Sequence, residues 1–140
     1  MSAVQRAARP PIVWSERIAP PPRRNDEETE QRTVVKYLDR ALPDRAFCFA
    51  VPNGGLRSKK VAARLSGQGV KAGVPDLCVV WKGRAFFIEM KAPAGRQSTA
   101  QRRTQEVLEY CECPVMVCHS APEVEAQLRE IGFPLRATFT

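Results

Sequence analysis

Two apolar runs separated by a two-residue turn dominate the hydrophobic pattern of the chain. Leu77-Cys78-Val79-Val80-Trp81 and Arg84-Ala85-Phe86-Phe87-Ile88 flank Lys82-Gly83. Each run has the length of a strand, and the glycine suits a tight hairpin that sets Trp81 against Arg84. Upstream, Val34, Val35, Leu38, Ala41 and Leu42 recur at helical spacing. They predict a helix capped by Asn25, with Glu28 three residues on as the capping-box partner. Pro43-Asp44 ends it, and Phe47 to Val51 reads as a short strand. Asn53-Gly54-Gly55 is a flexible turn that lets backbone approach a ligand, and Val61, Ala62 and Leu65 give the next stretch a weak helical period. After the hairpin comes a loop at Ala92-Pro93-Ala94-Gly95-Arg96. Ser98 then caps a second long helix on which Gln101, Thr104, Gln105, Leu108 and Cys111 share one face. Pro114 to Cys118 reads as a fourth strand and residues 121–131 as a closing helix.

The order α-β-β-β-α-β-α, with a helical crossover before the last strand, predicts an α/β sandwich on a mixed sheet. Residues 1–25 are proline-rich, basic and aperiodic, and read as a disordered arm before one domain at 26–140.

Acids and a lysine stand at the open end of the hairpin. Counting back from Trp81 and Arg84 puts Asp76 directly opposite Glu89, on one face and roughly 5 Å apart. Two carboxylates that close repel by about 3 kcal/mol at an effective dielectric near 20. A cation between them is expected, and a hard divalent ion such as Mg²⁺ takes oxygen ligands of this kind. Lys91 lies two residues past Glu89, so the pleat points it to the same face. A one-residue bulge at Gly83 would instead separate the acids.

Charge narrows the partner. Lys and Arg number 22 against 15 Asp and Glu, a net charge of +7 that favours a polyanion, and so nucleic acid. Between residues 57 and 71, Arg57, Lys59, Lys60, Arg64 and Lys71 occur with no acid among them, which suits a phosphate backbone beside the Asn53 turn. The order of a nucleotide P-loop is absent. No apolar run approaches a membrane span and no signal-peptide core is present, so a cytosolic protein with no membrane partner is expected. Five cysteines show no secretory framework, and Cys111, Cys113, Cys118 and His119 lack the paired spacing of common zinc knuckles.

Pro75-Asp76 with Glu89-Met90-Lys91 resembles the PD-(D/E)xK nuclease signature. The wider runs Val51 to Arg57, Gly69 to Leu77 and Phe87 to Lys91, with Ser98 and Gln101 three apart, resemble the VRR-NUC branch of that superfamily over roughly residues 27–120. The resemblance implies a restriction-endonuclease-like α-β-β-β-α-β core and a metal-dependent endonuclease acting on DNA. It implies that Asp76, Glu89 and the main-chain carbonyl of Met90 hold Mg²⁺ or Mn²⁺, and that Lys91 assists at the phosphate. It gives the first helix an acid for the site, for which Glu30 fits best, with Glu27 one turn earlier as the runner-up. It also places Gln101 near the metal, a role that competes with capping for the same amide. Stand-alone domains of this kind imply a homodimer on branched DNA, and a short chain invites a helicase or other DNA-processing partner. The rival readings are a DNA-binding module of the same fold that does not cut, a nuclease active only with a partner, and a zinc or redox module on the four clustered ligands.

Overall fold

The computed structural model describes residues 24–52 and 58–140. The expected arm, apart from its last two residues, and the Asn53-Gly54-Gly55 turn lie outside the described residues, as do the candidate contacts Asn53 and Arg57. In chain order the elements are α1 (Arg24–Ala41), β1 (Phe47–Ala50), α2 (Lys59–Gly67), β2 (Leu77–Trp81), β3 (Arg84–Met90), α3 (Thr99–Tyr110), β4 (Val115–Cys118) and α4 (Ala121–Glu130). The weak period at residues 61–65 is thus a true helix, capped by Ser58, whose hydroxyl accepts the Val61 N–H at 3.2 Å. Asn25 lies inside the first turn of α1 and does not cap it. Glu27 stands in that turn, where an acid complements the helix dipole.

The four strands lie in the order β1-β2-β3-β4. The first two pairings are antiparallel, and β3 pairs with β4 in parallel after crossing over through α3. This is the expected α/β layering on a mixed sheet. Trp81 pairs with Arg84, so the hairpin has the expected two-residue turn. Lys82 and Gly83 both have positive φ, 47° and 73°, as a type I′ turn requires.

The period-2 pleat sorts the sheet into two faces. Leu77, Val79, Phe86, Ile88, Met90, Met116 and Cys118 point to one face and join Val34, Tyr37, Leu38 and Ala41 of α1 and Val124 and Leu128 of α4 in a single buried cluster. The C-terminal segment closes this core. Phe133 packs edge-on against Trp81 and Phe86 at 5.3 and 5.1 Å, and Phe139 against Tyr37 at 5.7 Å. The Tyr37 hydroxyl lies 2.8 Å from Glu125 Oε2 and 3.0 Å from the Ala137 carbonyl. Among the described residues, no helix is long and apolar enough to cross a membrane.

Candidate active site

Asp76 is fixed before its strand begins. Its carbonyl accepts the Val51 N–H at 2.8 Å, which carries the β1–β2 pairing one step further. Its side chain, Oδ2, accepts the Met90 N–H at 2.8 Å. Leu77 pairs with Ile88, so Asp76 stands opposite Glu89, as the hairpin count expects. Glu89 is buried, at 3% exposure, on the face of the sheet away from α1 and α4. The Lys91 ammonium sits 3.5 Å from Glu89 Oε1. Asp76, Glu89, Lys91 and Gln101 line one cavity of about 650 Å³.

Gln101 performs both of the roles that the sequence set in competition. Its Oε1 accepts the Ser98 N–H at 2.8 Å and completes the capping box of α3, while its Nε2 donates to Glu89 Oε1 at 2.9 Å. The two ends of the amide point in different directions, so one side chain caps the helix and orients the acid. Gly73 makes this approach feasible. With φ of +77° it lies against the Ala100 carbonyl and the Gln101 N–H, where any Cβ would overlap them.

Of the two candidate acids on the first helix, the structure brings Glu27 to the cavity and leaves Glu30 away from it. Glu27 lines the cavity, and its Oε1 accepts the Ala92 N–H at 3.2 Å. Glu30 is half-buried and is not among the residues lining the cavity. The first turn of α1 reaches the strand ends where Lys91 and Ala92 lie. One turn later the helix has moved off over the sheet.

Lys59, Lys60, Arg64 and Lys71 are exposed and do not line the cavity. The α2 residues that do are Ala62, Leu65 and Ser66. Lys60 and Arg64 lie two positions either side of Ala62, about half a turn away at 3.6 residues per turn. Val70, Ala72 and Val74 continue that apolar wall. Pattern alone marked the basic side of this stretch and missed the side that meets the site.

The electrostatics are those of a carboxylate cluster short of positive charge. Burial pushes the Glu89 carboxyl up to about 8; the Asp76 charge adds to the rise and Lys91 opposes it. Burial also raises the Asp76 carboxyl, against the pull of the Met90 N–H and Lys91, with Glu27 adding to the rise. Among the described residues, one ammonium therefore faces three acids, Asp76, Glu89 and Glu27. A hard divalent cation fits this oxygen set. Among the described residues no three His, Cys, Asp or Glu side chains gather as a ready-made metal cluster, so such an ion would draw on the Asp76–Glu89 pair and on main-chain oxygen. The Met90 N–H faces Asp76, and a strand residue's carbonyl emerges on the same side as its N–H, which puts the Met90 carbonyl towards Asp76 too.

Among the described residues, Cys111, Cys113, Cys118 and His119 do not gather as a metal-binding group. Cys111 is exposed, the Cys118 thiol is pushed up to about 12 by burial, and His119 Nδ1 lies on the Lys91 carbonyl.

A sequence model of the VRR-NUC domain matches residues 27–122. The chain belongs to the VRR-NUC domain family. That family is nuclease-type, and the match spans Glu27, the hairpin, Gln101 and His119. A solved structure of a VRR_NUC domain protein superposes with a TM-score of 0.64 at 22% identity, covering 78% of this chain and 90% of that one. The similarity extends to the fold. No curated protein matches.

Proposed function

We infer that this VRR-NUC domain is a metal-dependent endodeoxyribonuclease that hydrolyses phosphodiester bonds in duplex or branched DNA. One observation carries the reading. Asp76 and Glu89 stand opposite each other at the end of a hairpin, Glu89 buried and Asp76 half-buried, with an ammonium 3.5 Å from Glu89. A fold that needed only a DNA-binding surface gains nothing from burying that pair.

Asp76, Glu89 and the Met90 carbonyl would hold Mg²⁺ or Mn²⁺. When bound, the ion supplies polarisation of a phosphate oxygen and a more acidic water. Lys91 offsets negative charge that builds on the phosphate as the bond breaks. Gln101 keeps Glu89 from rotating, and Glu27 ties the start of α1 to the backbone beside Lys91. Lys59, Lys60, Arg64 and Lys71 offer phosphate contacts outside the cavity, where a DNA backbone passes before entering it.

The test is cleavage of plain, nicked, flapped and four-way-junction DNA with Mg²⁺, with Mn²⁺ and with chelator. Wild-type protein should cut at least one substrate in a metal-dependent way. Asp76→Asn should still bind that DNA and fail to cut it. Turnover near wild type in Asp76→Asn, or undiminished cleavage in chelator, would sink the reading.

A further inference from the structure

His119 is the chain's single histidine and the least explained residue beside the site. It sits between the end of β4 at Cys118 and Ser120, the N-cap of α4. Its backbone N–H donates to Glu123 Oε2 at 2.8 Å, which commits the main chain to the start of that helix. Its imidazole turns the other way, and Nδ1 lies 2.8 Å from the Lys91 carbonyl. A carbonyl oxygen only accepts, so Nδ1 carries the proton in this contact.

The neighbouring bonds show what the contact holds. The Met90 N–H goes to Asp76 Oδ2 at 2.8 Å and the Lys91 N–H to the Cys118 carbonyl at 2.9 Å. The Lys91 carbonyl and the Ala92 N–H belong to one peptide unit. Its oxygen is held by His119 and its N–H by Glu27 Oε1 at 3.2 Å. That unit is the last before Pro93 and the loop beyond. The β4 ladder has ended there, so a side chain supplies the donor that the strand no longer offers. Rotation of this peptide would swing the Lys91 Cα–Cβ bond, move its ammonium away from Glu89, and break the Glu27 contact in the same motion.

The geometry points to His119 as a positioning residue: through Nδ1–H it locks the Lys91–Ala92 peptide and so fixes the ammonium at the carboxylate pair. The inference rests on reading Lys91 as the cation of the site. His119 touches neither of the paired carboxylates, and its effect passes through backbone.

Three variants separate positioning from packing. In His119→Asn the amide nitrogen falls where Nδ1 was, while in His119→Gln it reaches further, towards the Nε2 position. His119→Leu keeps bulk and has no donor. On the best DNA substrate at saturating metal, Leu and Gln should lower kcat by about 10²-fold, the effect of a displaced catalytic group, with KM unchanged. Asn should restore most of the turnover. Wild-type kcat in His119→Leu, or equal losses in Asn and Leu, would overturn the proposal.

A second measurement does not depend on cleavage. Long-range ¹H–¹⁵N spectra of the one histidine should show Nδ1 protonated, and hydrogen exchange at Ala92 should be slow in wild type and Asn but fast in Leu. A neutral ring protonated at Nε2 alone, or unchanged Ala92 exchange in Leu, overturns the proposal as well. If wild-type protein cuts no DNA, the nuclease reading fails, and these two spectra alone decide whether His119 holds the peptide.

Discussion

On the face of the sheet that meets α1 and α4, Leu77, Val79, Phe86 and Ile88 are covered to 0–1% exposure by helices that contribute Val34, Leu38, Val124 and Leu128 at 0%. On the opposite face Glu89 and Cys78 are buried, and the helices on that side, α2 and α3, bury no residue at all. One face removes apolar surface from water, at roughly 1.5–3 kcal/mol for each large side chain. The other removes charge from water, which opposes folding. The difference teaches that the first face supplies the stability and the second spends part of it holding acids in an unfavourable setting.

The sharpest break in that comparison is a cavity on the stable face. Leu38→Ala should destabilise by about 2–5 kcal/mol, and Val107→Ala on exposed α3 by no more than about 0.5 kcal/mol, both by chemical denaturation. Similar losses from the two would erase the distinction between the faces.

Next comes the charge on the other face. The Glu89 carboxyl sits at about 8 against 4.5 for the free group, so between those values the folded chain binds more protons than the unfolded one. Stability of the metal-free protein should therefore fall as pH rises from about 4.5 to about 8 through this group. Glu89→Gln should flatten that fall and leave the metal-free variant more stable than wild type at pH 8. Added Mg²⁺ or Mn²⁺ should raise the melting temperature of wild type and leave that of the variant nearly unmoved. A variant less stable than wild type at pH 8 without metal would contradict the idea of a strained acid pair.

Gly73→Ala tests the seam between the faces. Its φ of +77° disfavours a side chain, and the added Cβ overlaps the first turn of α3. A loss of about 1–3 kcal/mol is expected, with turnover falling further than stability because Gln101 moves off Glu89. The smallest effect on stability should come from charge reversal of Lys59, Lys60 and Arg64, which bury nothing. There the readout is DNA binding: log affinity should depend less steeply on log salt, by about 0.9 for each lost duplex contact. An unchanged slope would place the DNA elsewhere.

The parts of the site legible in sequence are those set by local geometry. Lys82-Gly83 fixes the register of β2 on β3, and register alone places Asp76 against Glu89 and sends Lys91 to the same side. The parts that were not legible depend on how elements cross. Glu27 and Glu30 both extend the α1 stripe, and only the angle of that helix over the sheet decides which one reaches Ala92. The double use of Gln101 was hidden because a pattern treats an amide as one group, whereas its oxygen and nitrogen bond separately. His119 meets Lys91 across 28 positions through parallel strands, and no spacing rule within one element reports such a contact. In α2 the charges drew attention to the outer side, while the residues that wall the cavity are small and plain.

That wall has a consequence for how such a domain changes over generations. A nine-residue helix with no buried residue is a replaceable panel. Exchanging Ala62, Leu65 or Ser66 alters the shape of the opening in front of the acid pair without touching the core that keeps the chain folded. On the proposed reading the hairpin carries the chemistry and must stay as it is, while the panel is free to drift, so the opening could be refitted to differently shaped substrates at little risk to folding.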